Sequence, residues 1–292
     1  MGNQIFTQWN YKSGDKIKPR SLHIDVIADY GGGHYTDHAF DEVRNHFFRF
    51  DKLGKLRVVT EHPVYAFSTL ETGFWIAQEG LHSEHKDLVI FSNTAPRGDI
   101  VWKGENTQAF VCGLLDNGIP FFAVNAGFNL SFVKDRLKGL WEVKVPNVGT
   151  QFRSRDFYPE ATMAILNGDT NRIGKVINLK EIPEIPSFVL ASVDGYGNLK
   201  TTIRRSHLSE SAAISLVLRI KLNGKTHFAI NTLISGIKGK TGDLCMVVGS
   251  SGGKNRNFIE IVRLQGRAAD DFKIDGPRDD LGQIKIEAIR RD

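Results

Sequence analysis

Two pairs of histidines in the N-terminal half have the spacing of metal ligands on one helical turn. His34 and His38 lie four residues apart in HYTDH, and His82 and His85 lie three apart in HSEH. With a neighbouring carboxylate such as Glu84, these imidazoles would indicate a metal-dependent hydrolase. Neither pair has the HExxH arrangement, and exposed histidines near helix ends are the simpler explanation.

The elements that would position these side chains alternate between strands and helices in the N-terminal half. Strands are predicted for LHIDVIA, LRVVT, DLVIFS, AFVCGLL and PFFAVNA, which are rich in Val, Ile and Phe. Apolar residues recur at helical spacing from Asp37 to Phe48 and again from Phe67 to Leu81. Because this alternation is typical of a covered parallel sheet, we expect an α/β domain with a mainly parallel sheet.

From Ser187 onward, short strand-like runs separated by Gly, Asn and Lys turns leave little room for helices. This pattern predicts a smaller all-β domain, folded as a barrel or sandwich. The boundary is expected in NLKEIPEIPS, because Pro183 and Pro186 oppose a continuing helix. We therefore predict an α/β N-terminal domain over residues 1–182 and a β-barrel-like C-terminal domain over residues 183–292.

The composition is that of a globular chain, with 41% hydrophobic residues in a length of 292. There is no run of about 18 apolar residues and no secretory signal, so no membrane association and a cytoplasmic location are expected. The net charge of +5 is scattered, without the aromatic-basic interleaving of a base-stacking surface, which disfavours nucleic acid as a partner. Cys112 and Cys245 lie in apolar runs and are expected to be buried, reduced thiols.

Polar motifs border these apolar segments along most of the chain, roughly from Leu22 to Phe272. They are DVIADYGG, VVTEHPVYAF, FRSRDFYPEATMAIL, DGYGNLKTTI, and GSSGG followed by FIEIVRLQGRAA. In this order they resemble the S-adenosyl-L-methionine (SAM) hydroxide adenosyltransferases and their fluorinase and chlorinase relatives. The resemblance implies SAM as the substrate with no further cofactor, and a homotrimer with sites between one subunit's N-terminal domain and its neighbour's C-terminal domain.

The ligand contacts implied for the N-terminal half follow from what SAM presents to a protein. The ribose needs a diol acceptor and the adenosine an aromatic surface. By resemblance Asp29 holds the ribose hydroxyls, both of which one carboxylate can accept, and Phe67 lies over the substrate. His62 stands at the family's histidine, and Phe152 and Ser154 of FRSRD complete the substrate-binding set in this half.

The contacts implied for the C-terminal half lie in two turns and one strand end. The resemblance places Tyr196 on the adenine face, Asn198 at the adenine edge and Asp194 at the methionine ammonium. Ser250 would bind the amino-acid end, and the backbone at Ala268 would face adenine. DGYGNL is also a strong β-turn signal, and both interpretations can hold together.

The catalytic positions depart from the family pattern. The hydrolysing branch positions water with an Asp, an Arg and a His, where this chain has Asn93, Arg97 and Arg153. Asn93 can orient water but cannot act as a base, and Arg153 favours an anionic nucleophile. The leaving group is a neutral thioether, so in-line placement can carry much of the displacement.

The predicted function is attack of water or hydroxide at the ribose C5′ of SAM, giving adenosine and L-methionine. The alternatives are a non-catalytic SAM or adenosine sensor, SAM cleavage by halide or by lyase chemistry, and the metal-dependent hydrolase. Fluorination is disfavoured because GLHSEHKDLVIF lacks the threonine-rich loop of the halogenating branch. His82 and Glu84 are a further hypothetical source of the missing base.

Overall fold

The computed structural model describes residues 21–31, 38–85, 87–95, 108–146, 148, 152–234, 238–252, 257–279 and 281–289. The chain divides into two compact units, Met1–Glu184 and Ile185–Asp292. Two seven-stranded sheets are present, one in each unit.

The sheet of the first unit is mixed. Its strands are β1 (Leu22–Ala28), β2 (Leu56–Pro63), β3 (Leu88–Asn93), β4 (Phe110–Leu115), β5 (Pro120–Val124), β6 (Leu137–Val143) and β7 (Ile173–Val176). They are ordered β2-β1-β3-β5-β4-β6-β7. The pairs β1 with β2, β1 with β3 and β3 with β5 are parallel, whereas β4 with β5, β4 with β6 and β6 with β7 are antiparallel.

The predicted α/β domain with a mainly parallel sheet is therefore wrong. The runs AFVCGLL and PFFAVNA do form strands, β4 and β5, but only Asp116–Ile119 connects them. Parallel neighbours need a crossover of about a dozen residues, so this short connection forces a hairpin. Gly118 has a φ of +91° and its N–H donates to Leu115 O at 2.9 Å, which closes the turn.

Helices cover both faces of this sheet. They are α1 (His38–Phe50), α2 (Thr69–His82), α3 (Arg153–Asp156) and α4 (Tyr158–Leu166), with 3-10 turns at Lys134–Arg136, Thr170–Arg172 and Leu179–Glu181. The predicted apolar side of α1 is confirmed, since Phe40, Val43 and Phe47 are buried. They join one core cluster with Val26 of β1, whereas the next residue, Ile27, joins α2 in a second cluster.

The second unit is an open sheet and not the predicted barrel or sandwich. Its strands are β8 (Leu190–Val193), β9 (Leu199–Arg204), β10 (Val217–Leu222), β11 (Lys225–Asn231), β12 (Leu244–Val248), β13 (Phe258–Arg263) and β14 (Lys285–Ala288), ordered β14-β10-β11-β12-β13-β9-β8. Two short helices, α5 (Glu210–Ile214) and α6 (Ala268–Phe272), and a 3-10 turn at Arg205–His207 accompany them. Phe272 of α6 packs in a core with Ile220, Met246 and Ile261, so a helix covers one face of the single sheet that the described residues of this unit form.

Two further properties concern the chain as a whole. Cys112 on β4 and Cys245 on β12 are free, buried thiols. Within the described ranges, every helix is too short or too polar to span a membrane.

Candidate functional site

Asp29 lies where three parallel strands of the first unit end. Ala28, the last residue of β1, is in register with Pro63 of β2 and with Asn93 of β3. The Asp29 N–H donates to Asn93 O at 3.4 Å, and Asp29 Oδ2 accepts from the Phe67 N–H at 3.0 Å. The structure thus brings together three predicted site residues at the carboxyl ends of parallel strands, where such sheets commonly bind ligands.

Phe67 has an unusual backbone. Its φ is +62°, in the left-handed region that costs a residue with a Cβ about 1–2 kcal/mol. The hydrogen bond to Asp29 Oδ2 helps to hold this conformation, and Phe67 is 49% exposed. An exposed aromatic ring on a fixed backbone is suited to stacking against a flat ligand.

Tyr30 connects this edge to the FRSRD segment, and the sequence interpretation missed it. Its ring meets the Phe152 ring edge-on at 5.5 Å and the Phe40 ring at 5.0 Å between centroids. Burial raises the pKa of Tyr30 far above its usual value, and the Ser154 hydroxyl beside the phenol acts in the opposite direction. Phe152 and Ser154 therefore both contact Tyr30, the residue that follows Asp29. This position next to Asp29 was the signal in the sequence that could have identified Tyr30.

Of the three predicted catalytic residues, the structure describes Asn93 and Arg153. Asn93 lies beside Asp29, as described above. The Arg153 Nη2 donates to Pro146 O at 3.2 Å, and its guanidinium carbon lies 5.8 Å from the centroid of the Tyr158 ring. Arg153 is thus engaged by its own segment, and Arg97 lies outside the described residues.

The histidine pairs do not form a metal centre in the part of the chain that the structure describes. His38 begins α1 and His82 ends α2, and both are exposed. His85 packs edge-on against His23 at 5.1 Å between ring centroids, while His34 lies outside the described residues. No group of three His, Cys, Asp or Glu side chains within the described residues is placed to hold a metal ion.

The buried Asp25 carboxylate lies beside His23 and His62, and the sequence interpretation did not predict this grouping although it had named His62. Asp25 Oδ1 lies 3.0 Å from His23 Nε2 and 3.6 Å from His62 Nε2, and Asp25 is 5% exposed. The neighbouring Asp25 carboxylate raises the pKa of His62, burial opposes this, and the charge of Glu79 adds to the increase. The available signal was one acidic residue inside the apolar strand LHIDVIA.

In the second unit, the Asp194 carboxylate organises the predicted DGYGN turn. Its Oδ1 accepts from the Tyr196 and Asn198 backbone N–H groups, both at 3.0 Å, and its Oδ2 accepts from Asn198 Nδ2 at 3.0 Å. This turn leaves Tyr196 79% exposed. The Asp194 carboxylate is thus already engaged by its own turn at the position where an ammonium was predicted.

The start of α6 lies directly against this turn. The Ala269 N–H donates to Gly197 O at 3.0 Å, and Arg267 Nη1 donates to Gly195 O at 3.3 Å. Gly197 has a φ of +77°, and a Cβ there would lie 2.9 Å from the Cβ of Arg267. Ala268 is fully buried beside it, so only its backbone is suited to a ligand contact.

Ser250 is linked to the same turn through two charged residues that were not predicted. The Ser250 N–H donates to Glu260 Oε1 at 3.3 Å, and Lys200 Nζ donates to the same oxygen at 3.1 Å. Lys200 Nζ also lies 3.7 Å from Asp194 Oδ2. The structure therefore brings Asp194, Ser250 and the DGYGN turn into one cluster within the second unit.

No protein-family model matches this chain, and no curated protein matches it. A solved structure titled as an uncharacterized conserved protein from Thermotoga maritima is similar, with a TM-score of 0.64 and 19% sequence identity. The similarity covers 90% of this chain and 99% of that one. At this identity the similarity shows a common fold alone.

Proposed function

We propose that this chain binds SAM and cleaves it by attack of water or hydroxide at the ribose C5′, releasing adenosine and L-methionine. The observation that carries the proposal is the Asp29 carboxylate at the carboxyl ends of three parallel strands, oriented by the Phe67 N–H at 3.0 Å. An ionised carboxylate has about four acceptor positions, so this backbone bond is compatible with acceptance of two ribose hydroxyls.

The exposed ring of Tyr196 supports recognition of adenine. The hydrogen bonds to Asp194 fix the turn that carries this ring, so the turn loses little conformational entropy when a base stacks on the ring. Stacking of a base on an aromatic side chain contributes about 1–3 kcal/mol. The side-chain carbonyl of Asn198 can accept a hydrogen bond from the exocyclic amine of adenine.

The displacement itself makes modest demands on the protein. A water or hydroxide oxygen attacks C5′ from the side opposite the sulfonium, so that the C5′–O bond forms as the C5′–S bond breaks. The electron pair of the broken bond leaves with the now neutral methionine sulfur, and a water nucleophile releases one proton to solvent. Alignment of the nucleophile is then the main requirement, and no acid is needed for the leaving group. Of the two predicted catalytic residues that the structure describes, Asn93 is the candidate to orient the nucleophile, because its backbone carbonyl accepts from the Asp29 N–H.

The test is product analysis after incubation of the purified protein with SAM, with and without chloride. We expect equimolar adenosine and L-methionine, and we expect Asp29→Ala to reduce both at least tenfold by loss of charge-assisted hydrogen bonds to ribose. Asp135→Ala is the matched control, because Asp135 is an exposed aspartate of the first unit. Intact SAM after prolonged incubation would contradict the proposed cleavage.

The same experiment separates the alternatives. A chlorinated nucleoside indicates halide transfer, and methylthioadenosine with homoserine lactone indicates lyase chemistry. Tight binding of SAM in calorimetry without turnover indicates a sensor, which the engagement of Arg153 by Pro146 would favour.

The proposal also includes a homotrimer and a cytoplasmic location. The trimer rests on the family resemblance, and light scattering on the purified chain tests it. The free state of Cys112 and Cys245 is compatible with a reducing compartment.

A further inference from the structure

Lys200 and Glu260 form an ion pair in the interior of the second sheet. They face each other on the antiparallel neighbours β9 and β13, and Lys200 Nζ lies 3.1 Å from Glu260 Oε1. Their side chains are 12% and 9% exposed. Desolvating two charges generally costs more than their attraction returns, so such a pair is poorly explained by stability alone.

Each member of the pair contacts a different predicted ligand segment. Glu260 Oε1 accepts from the Ser250 N–H, and Gly249 lies so close that a Cβ there would be 2.3 Å from the same oxygen. Lys200 Nζ lies 3.7 Å from Asp194 Oδ2, the oxygen that also binds the Asn198 side chain. The pair therefore connects residues 249–252, here called the Ser250 loop, with the DGYGN turn.

We infer that Lys200 and Glu260 are positioning residues that hold the Ser250 loop and the DGYGN turn in one geometry before ligand binds. The ammonium of Lys200 lies within 4 Å of both carboxylates and offsets their mutual repulsion. Without it, Asp194 and Glu260 repel each other and both segments loosen together. The inference rests on the proposed function only for the identity of the ligand.

The first arm of the test needs no ligand. Amide hydrogen exchange is measured in the full chain at Ser250 and at Asn198, in the wild type and in Lys200→Met. We expect exchange at both amides to increase about tenfold in the variant. The carboxylates that accept from these N–H groups, Glu260 and Asp194, are then no longer held in place by the Lys200 ammonium. Lys200→Arg, which keeps the cation, should restore the wild-type rates within about twofold.

A matched control removes a different lysine from the same sheet. Lys221 on β10 lies 3.8 Å from Glu287, with a side chain that is 43% exposed, so Lys221→Met should leave both amides unchanged. If Lys200→Met proves too unstable to study, Lys200→Gln also removes the charge, keeps a polar side chain and should loosen the same two segments. Equal exchange at Ser250 and Asn198 in the wild type and in the variants that remove the charge of Lys200 would overturn the inference.

The second arm measures adenosine binding to the full chain by calorimetry. We expect Lys200→Met to weaken the affinity about tenfold, with Lys200→Arg close to the wild type and Lys221→Met unchanged. Weaker binding with unchanged exchange would overturn positioning and make Lys200 a direct ligand contact. If the wild type binds neither adenosine nor SAM, the proposed function fails, and the exchange arm still decides whether the pair positions the two segments.

Discussion

Two residues of the first unit carry strain or buried charge, Phe67 beside Asp29 and Asp25 in the middle of β1. Phe67 has a positive φ and an exposed ring, and the buried Asp25 carboxylate lies between His23 and His62. Neither arrangement is what packing alone favours, because a left-handed phenylalanine and a buried carboxylate both carry a cost. Arrangements with such an energetic cost persist where neighbouring interactions hold them in place, and they are frequent at functional sites.

The strain at Phe67 can be measured with two substitutions at the same position. Phe67→Gly and Phe67→Ala both remove the ring, but only glycine adopts a φ of +62° without a steric cost. We therefore expect the glycine variant to be more stable than the alanine variant by about 1 kcal/mol in urea unfolding. Equal stabilities would mean that the backbone relaxes at this position.

The pKa of His62 predicts a pH dependence with a definite sign. Because the folded-state pKa of His62 is raised, its protonation stabilises the folded chain. This contribution is fully present below the unfolded pKa of about 6.5 and is lost as the pH rises through the higher folded pKa. In urea unfolding, the stability difference between wild type and His62→Gln should thus shrink with increasing pH.

Asp25→Asn provides the control for this prediction. Loss of the carboxylate removes the largest cause of the shift, so an NMR titration should find the pKa of His62 lowered in the variant. A stability difference that does not change with pH would contradict the assignment.

At the scale of elements, the connections decide which parts of the fold can be read from sequence. The run LHIDVIA coincides with β1, and the helical spacing before Phe48 coincides with α1, because local periodicity reports burial directly. Strand direction depends instead on the connection, and the short link between β4 and β5 produced a hairpin within a sheet predicted to be mainly parallel. The Lys200–Glu260 pair escaped prediction because its partners lie 60 residues apart and meet only through sheet register.

The turn between β4 and β5 gives a test at this scale. A Cβ at Gly118 would meet no atom within 4 Å, so only its φ of +91° opposes substitution. We expect Gly118→Ala to cost about 1 kcal/mol and Gly118→Asn to cost less, because asparagine tolerates positive φ better than alanine. Thermal unfolding of the two variants measures the difference, and a larger cost for asparagine would contradict this explanation.

At the scale of the whole molecule, the predicted ligand residues are divided between the two units, Met1–Glu184 and Ile185–Asp292. Asp29, Phe67 and Asn93 belong to the first unit, and the DGYGN turn and Ser250 belong to the second. The sequence resemblance could predict ligand residues in both units, because the order of motifs along the chain does not depend on how the strands pair. It could not predict the hydrogen bonds and ion pairs that orient these residues, since those interactions arise from strand register and from loop closure.

The second unit has a buried core of its own, which predicts independent folding. Its cluster includes Leu199, Ile220, Met246, Ile261 and Phe272, all drawn from residues 185–292. A fragment of these residues should therefore unfold cooperatively in urea, with a single transition in near-ultraviolet circular dichroism. A broad, non-cooperative transition would show that the core is insufficient without the first unit.

Each unit contains one buried cysteine, and the rate at which that cysteine is alkylated reports how often its strand opens. Burial raises the pKa of Cys112 to about 12 and also raises the pKa of Cys245, so the reactive thiolate is scarce while each strand stays in its sheet. Alkylation then proceeds mainly when β4 or β12 opens, and the two modified peptides differ in mass. Opening rates of both halves can thus be recorded in one reaction, on the unaltered chain and without an added label.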